Sequence, residues 1–265
     1  MGKAMEVITG FATNPSTTVT AVTMATGDSN NVRNFNSPAG AHLMGIWALG
    51  ATAGITRVRS PRLHDNVQGI RESHIAAHSE AVLFEDATQY LYAQDTLTIE
   101  ITGGGSETDS VSLLNYYDDL PGTAARLYTF PEIKPRIRNI MSTEVDLTTG
   151  STLGSYGGAV PINNTFDQFK ANTDYAILGY LSSVEVLTVG IRGSDFGNLR
   201  VGGPGTINRL ETRRWFVNLS NAFQMPCIPV FNAANKSNTL VDLVSNASGT
   251  SVVVDVICAE LATGQ

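Results

Sequence analysis

The segments WALGATAGITRVRS, residues 47–60, and VSLLNYYDDL, residues 111–120, open and close the stretch that decides the fold. The same plan returns further along the chain, in YLSSVEVLTVGIRG at residues 180–193 and VVVDVICAEL at residues 252–261. An internal repeat sets the architecture of a chain, so it takes precedence over other signals. The sequence therefore predicts a duplication, with chance similarity between β-rich segments as the competing explanation.

Four anchors support the duplication, and they occur in the same order in both copies. The first aligns Arg59 with Arg192. The other anchors align residues 65–69 with 197–202, residues 95–97 with 238–240, and Ser110 with Ser251. Between the last two anchors the second copy is slightly shorter than the first. The change falls at residues 103–108 and 246–249, where hairpin loops of different length are expected.

The local pattern is that of short β-strands. Residues 97–101, LTIEI, alternate apolar and polar side chains with the period of a strand, and Gly, Asn and Pro interrupt the chain between such runs. Each half has room for about eight strands, the number in a jelly roll. We therefore predict an all-β fold of two tandem jelly-roll β-sandwiches with at most short helices. The turn LPGT at residues 120–123 places the boundary, giving domains 1–122 and 123–265.

One segment of the first copy has helical spacing. Ser79 is a possible cap for residues 82–91, in which Val82, Leu83, Ala87 and Leu91 recur with a helical period. Its aligned counterpart, residues 223–229, contains two prolines that a helix interior does not tolerate. The sequence predicts a short helix or turn in the first copy only.

Composition limits the classes of function. Of 265 residues, 42% are hydrophobic and only 15% charged, and the net charge is −7. A surface with few charges suits a protein packed against neighbours, whereas a general nucleic-acid binder needs a basic face. Arginines outnumber lysines by 13 to 4, a bias that favours rigid contacts at interfaces. The N-terminus lacks the apolar run of a cleavable signal, so we expect a soluble protein that is not secreted by such a signal.

No catalytic set emerges from the motifs, so the sequence predicts no enzymatic activity. The tripeptide DFG at residues 195–197 lacks the other kinase motifs, and the glycine-rich residues 201–206 lack the Gly-Lys-Ser/Thr of a phosphate-binding loop. His74 and His78 share a face if the segment is helical, but the zinc-protease pattern is missing. No cofactor is expected from the motifs. The two cysteines, Cys227 and Cys258, are predicted to be buried thiols on strands, with a disulfide between them left open.

Arginines are the candidate interface residues, above all Arg59 and Arg192 at equivalent repeat positions, with Arg213 and Arg214 further on. Two interpretations stay open. The arginines contact neighbouring subunits or an acidic surface such as nucleic acid or lipid head groups, or they pair with carboxylates of their own domain.

A duplicated β-sandwich with few charges and no catalytic set resembles the double jelly-roll major capsid proteins of icosahedral viruses, and its size is most similar to the corticovirus-type capsid proteins of tailless, membrane-containing bacteriophages. The resemblance implies a homotrimer whose six jelly rolls form a pseudo-hexameric capsomer within a capsid lattice. It implies a virion location, contacts with other virion proteins, and an internal membrane or the genome on the inner face. It also implies structural calcium in some members. Here Asp95, Glu100, Asp118 and Asp119 offer oxygen ligands without a calcium-loop motif.

A carbohydrate-binding or adhesion module built from two sandwiches is the alternative function. It needs exposed aromatic rings, and the candidates are Trp47, Trp215, Tyr116 and Tyr117. Trp47 lies in an apolar run and is expected in the core.

Overall fold

Most of the structure, a computed structural model, is β-strand. It describes residues 2–17, 20–24, 39–63, 67–74, 77–78, 82–83, 87–95, 97–205 and 209–262. The strands of the first half are β1 (Ala4–Thr13), β2 (Thr20–Ala21), β3 (Thr23–Met24), β4 (Ala41–Gly50), β5 (Gly54–Arg59), β6 (Ile70–His74), β7 (Ala77–His78), β8 (Val82–Leu83), β9 (Gln89–Leu91), β10 (Thr98–Ile101) and β11 (Thr108–Tyr117).

The second half adds further strands and the helices found among the described residues. The strands are β12 (Leu127–Tyr128), β13 (Ile137–Thr148), β14 (Val160–Pro161), β15 (Asp174–Ser182), β16 (Val186–Arg192), β17 (Arg200–Gly205), β18 (Ile228–Asn232), β19 (Leu240–Val244) and β20 (Ser251–Leu261). The helices are α1 (Phe130–Ile133), α2 (Arg209–Thr212) and α3 (Trp215–Phe223), with 3₁₀ turns at Lys134–Arg136 and Ala233–Asn238.

The strands form four antiparallel sheets. Sheet 1 has the order β3-β1-β11-β4-β7, with β8 and β9 also paired to β4, and sheet 2 has the order β2-β10-β5-β6. Sheet 3 is β12-β18-β15-β20-β13 and sheet 4 is β14-β19-β16-β17. Sheets 1 and 2 enclose a core that includes Leu43, Ile46, Val58 and Ile99. Sheets 3 and 4 enclose a second core.

Both sandwiches have the jelly-roll strand order. In each, the first long strand pairs with the last one, β1 with β11 and β13 with β20. The last strand then pairs with the long strand β4 or β15, and the opposite sheets have matching strand orders, β2-β10-β5-β6 and β14-β19-β16-β17. The predicted all-β fold of two tandem jelly rolls with short helices is therefore confirmed. The predicted boundary between residues 122 and 123 falls in the connection from β11 to β12.

Strand pairing refines the alignment of the two copies. Val58, next to Arg59, pairs with Ile99 in sheet 2. Ile191, next to Arg192, pairs with Val241 in sheet 4. Ile99 is thus equivalent to Val241, whereas extending the match of residues 95–97 with 238–240 would align it with Asp242. The register read from the sequence was therefore wrong by one position in this strand.

The described residues of the segment predicted as a short helix or turn in the first copy are not helical, and the second copy contains a helix where none was predicted. The described part of residues 79–91 contains the short strands β8 and β9, and the remainder lies outside the described residues. In the second copy, α3 occupies residues just before the prolines, buries Trp215, Phe216, Leu219 and Phe223, and ends at Gln224 in a left-handed conformation. The sequence comparison considered residues 223–229, the segment after the helix. Within the described chain, no helix has the length and apolar character to cross a membrane.

Candidate assembly surfaces

The outer face of sheet 1 is covered by the second sandwich. The core of the second sandwich continues into Met5, Val7, Leu114 and other apolar side chains of sheet 1, and β1 lies against β17. Because all of these side chains are buried, the two sandwiches form one body with a shared apolar interface. Apolar burial of this kind contributes about 25 cal/mol per Å² of surface removed from water.

Polar groups fix the register of this covered interface. The Trp47 indole Nε1–H donates to the Leu187 carbonyl at 2.8 Å and to Thr188 Oγ1 at 3.1 Å. Thr188 Oγ1 also lies 2.7 Å from Ser112 Oγ. The Asn246 amide donates from the β19–β20 loop to two backbone carbonyls of the first sandwich. Hydrogen bonds inside an otherwise apolar contact orient the two sheets, because leaving such groups unpaired is costly.

A buried ion cluster lies on the sheet 4 side of the interface. Arg200 Nη2 lies 2.8 Å from Asp242 Oδ2, and Arg192 Nε approaches the same oxygen at 3.5 Å. The Tyr156 ring covers the Arg200 guanidinium at 3.5 Å, a cation–π contact, and its hydroxyl lies 3.0 Å from Thr9 Oγ1 in sheet 1. Burial raises the pKa of the Asp242 carboxyl, and the two guanidiniums act in the opposite direction.

Sheet 2 carries the equivalent cluster on an open face. Arg57 Nη2 lies 2.7 Å and Arg59 Nε 3.1 Å from Glu100 Oε2. Burial alone would raise the pKa of Glu100, but the hydrogen bonds and charges of Arg59 and Arg57 outweigh it and leave this pKa lowered. Glu100 pairs with Arg57 across the strands, as Asp242 pairs with Gly190, so the two carboxylates occupy equivalent positions.

The four candidate arginines therefore fall into two groups. Arg59 and Arg192 pair with carboxylates of their own sandwich, which was one of the two interpretations. Arg213 and Arg214 are exposed, and no carboxylate of the described residues pairs with their side chains. Sequence reasoning named the arginines but missed Glu100 and Asp242 as their partners. The signal available was one acidic residue in each copy, at the centre of an apolar strand.

Arg213 and Arg214 border an apolar groove on the outer face of sheet 3. The groove has a volume of about 290 Å³, and half of the Ile140 side chain is open to solvent there. Its lining also includes Phe130, Ile137, Leu178, Val217 and Ile257. An open apolar groove between charged residues is typical of a protein-contact surface.

No metal site appears among the residues described. These residues contain no group of three or more His, Cys, Asp or Glu side chains placed to hold a metal ion. Of the oxygen ligands considered from the sequence, Asp95 accepts from the Ser60 hydroxyl, Glu100 binds two arginines, and Asp118 binds His42. His74 and His78 do not share a helix face, because they lie on strands β6 and β7.

The two cysteines are free thiols. Both Cys227 and Cys258 are buried, as predicted, and burial raises the pKa of each thiol. Cys258 lies on β20, whereas Cys227 lies in the connection that precedes β18. Thiols held in this state are unreactive, because the thiolate is the nucleophile.

The four aromatic side chains considered for sugar binding are buried. Trp47, Trp215, Tyr116 and Tyr117 are each no more than 3% exposed, and Trp47 packs edge-on against Trp215 across the covered interface. They cannot present a ring to a ligand in this arrangement.

Comparison with known proteins gives little. No protein-family model matches the chain, and no curated protein matches it. Among solved structures, the crystal structure of PBSX exported protein XepA aligns over 96% of this chain and 86% of that chain, with 10% identity and a TM-score of 0.21. A TM-score at this level carries no argument about fold or function.

Proposed function

We propose that this protein is a structural virion protein, a major capsid protein that trimerises into pseudo-hexameric capsomers of an icosahedral shell. The observation that carries the proposal is the tandem pair of jelly rolls joined through the outer faces of sheets 1 and 4. This contact is directional, because each sandwich contributes a different sheet to it. Within the described part of the chain, no other sheet packs on the outer faces of sheets 2 and 3, which lie at the two ends of the pair.

A directional contact generates a ring when its rotation closes and a filament when it does not. Three copies, each with two sandwiches, supply the six jelly rolls of a pseudo-hexamer. The few charged side chains and the exposed apolar groove on sheet 3 also support a role in assembly rather than catalysis. Under this proposal the protein is located in the virion, where other virion proteins and an internal membrane or genome are its neighbours.

Native mass spectrometry of the purified protein tests the proposal. A stable trimer at micromolar concentration is expected, because obligate interfaces bury large and relatively apolar areas. Electron microscopy of particles would then display hexagonally packed capsomers. A clean monomer at micromolar concentration would contradict the proposal. Binding to glycans, lost on substitution of the exposed Tyr90 and Tyr92, would instead support the adhesion alternative.

A further inference from the structure

We propose that the outer face of sheet 2 of one copy docks on the outer face of sheet 3 of a second copy. This contact between two chains would have the same geometry as the contact between sheets 4 and 1 within one chain. This inference rests on the proposed function, which requires a closed assembly, and it adds the surfaces, the residues and the chemistry of the contact.

Two residue pairs at the centre of the covered interface are uncharged. In sheet 1 the directly opposed pair is Val7 and Leu114, both fully buried. In sheet 4, Gly190 is paired with Gly202. The contact between Thr188 and Ser112 lies two residues from Gly190 and two from Leu114. Gly190 leaves room for the Arg200 side chain to lie flat along sheet 4, so the two sheets can approach closely.

On sheet 3 the equivalent pair is acidic. Aligning Ser110 with Ser251 makes Leu114 equivalent to Asp255, and Glu144 lies directly opposite Asp255 on the neighbouring strand. Exposed Asp146 follows on the same face of β13. Like charges directly opposite each other destabilise a sheet unless a cation compensates. Among the described residues, no cationic side chain pairs with Glu144, Asp146 or Asp255.

On sheet 2 the equivalent pair is basic. Arg57 occupies the position of Gly190, and Arg71, directly opposite Arg57, occupies that of Gly202. Arg57 and Arg59 both bind Glu100 on this face, and Arg71 lies opposite Arg57 on the neighbouring strand. Arg71 is exposed, and Arg57 borders an open groove of about 280 Å³ with it.

The two open faces are therefore complementary at the positions where the covered faces are neutral. Docking sheet 2 on sheet 3 as sheet 4 docks on sheet 1 brings Arg57 and Arg71 towards Glu144 and Asp255. The next pair along sheet 3, Ser142 and Ile257, leads into the apolar groove, so one contact combines charge pairing with apolar burial. Complementary charges favour this partner and disfavour a contact between two identical faces.

Charge reversal tests the contact. Glu144→Lys with Asp255→Lys places cations on both faces, and Arg57→Glu with Arg71→Glu places anions on both. Each double variant is expected to raise the trimer dissociation constant at least about tenfold, equivalent to about 1.4 kcal/mol. A chain carrying all four substitutions has both faces reversed and is expected to recover the trimer. Native mass spectrometry over a concentration series measures assembly, and circular dichroism measures folding.

A control matched to the first double variant, Asp118→Lys with Asp119→Lys, likewise replaces two acids by two lysines, on the β11–β12 connection, and should assemble as the unmodified chain does. Folded double variants that remain trimeric would overturn the docking surfaces and leave the capsid proposal standing, as would a folded fourfold variant that stays monomeric. An unmodified chain that is monomeric would overturn the proposed function itself. If a double variant fails to fold, the salt dependence of the unmodified trimer tests the charge pairing instead. The trimer dissociation constant should rise in about 1 M salt, where the screening length is about 3 Å. An unchanged dissociation constant would overturn the charge pairing.

Discussion

Sheets 2 and 4 carry the same acid–arginine cluster, one on an open face and one inside the molecule. In sheet 2, Arg57 reaches Glu100 from the adjacent position on the neighbouring strand. In sheet 4 that position is Gly190, and the guanidinium comes from Arg200 on β17. The two copies thus hold equivalent carboxylates, each bound by an equivalent arginine, Arg59 or Arg192, and by a second arginine from a different strand.

The difference follows from what covers each face. A Cβ on Gly190 would lie 2.5 Å from Arg200 Cδ and 2.6 Å from Asp242 Oδ1, so glycine makes room for the arginine to lie flat along the sheet. A flat arginine under Tyr156 allows β1 to pack closely. On sheet 2 no second sandwich of the same chain requires a flat face, and Arg57 and Arg71 remain available to a neighbour.

Arg200→Ala should have the largest effect, because it leaves Asp242, only 1% exposed, without its main partner. Removing one partner of a buried ion pair costs about 3–5 kcal/mol. Urea denaturation should give that loss of unfolding free energy. Arg200→Lys keeps the charge but loses the bidentate geometry, so its unfolding free energy should lie between those of the unmodified chain and Arg200→Ala. A loss of unfolding free energy below about 1 kcal/mol in the alanine variant would show that burial of the cluster does not make its ion pair important for stability.

A third buried acid, Asp109, sharpens the comparison because no guanidinium of the described residues pairs with it. Both of its carboxylate oxygens lack a hydrogen-bond partner among the described residues, and a Cβ on Gly103 would clash with Oδ2. Burial, with a smaller contribution from Glu107, raises the pKa of Asp109 from 3.8 to about 7. The folded state therefore holds a proton that the unfolded state has lost, and stability falls as pH rises from about 4 to about 7.

Asp109→Asn should remove that part of the pH dependence. A tenfold change in proton affinity is worth about 1.4 kcal/mol, so the variant should gain no more than about 4 kcal/mol over the unmodified chain at pH 8 and little at pH 4. Unfolding free energies measured from pH 4 to pH 8 test this. Asp119→Asn, an exposed control, should leave the profile unchanged, and an equal gain at every pH would rule out titration of Asp109.

The sequence predicted the fold because the repeat and the strand periodicity can be read from the sequence without knowledge of tertiary contacts. Arg59 and Arg192 were correctly aligned for the same reason. Their carboxylate partners, Glu100 and Asp242, are distant along the chain, and only strand pairing brings them together. The helix α3 was missed because the aligned window began at residue 223, where the helix ends. Nothing in the local sequence pattern distinguishes a covered sheet face from an open one. The role of a residue such as Arg57 can therefore be assigned only once the packing of the sheets is known.

Arg57→Ala should have the smallest effect on the folded chain. Arg59 still binds Glu100 in this variant, and Glu100 keeps partial access to water, so a loss of about 1 kcal/mol or less is expected for an ion pair near the surface. Denaturation at protein concentrations below the trimer dissociation constant isolates this term from assembly. A loss of unfolding free energy equal to that of Arg200→Ala would mean that the two clusters contribute equally to the stability of the fold. The small loss expected here would leave Arg57, unlike Arg200, available for a contact outside its own chain.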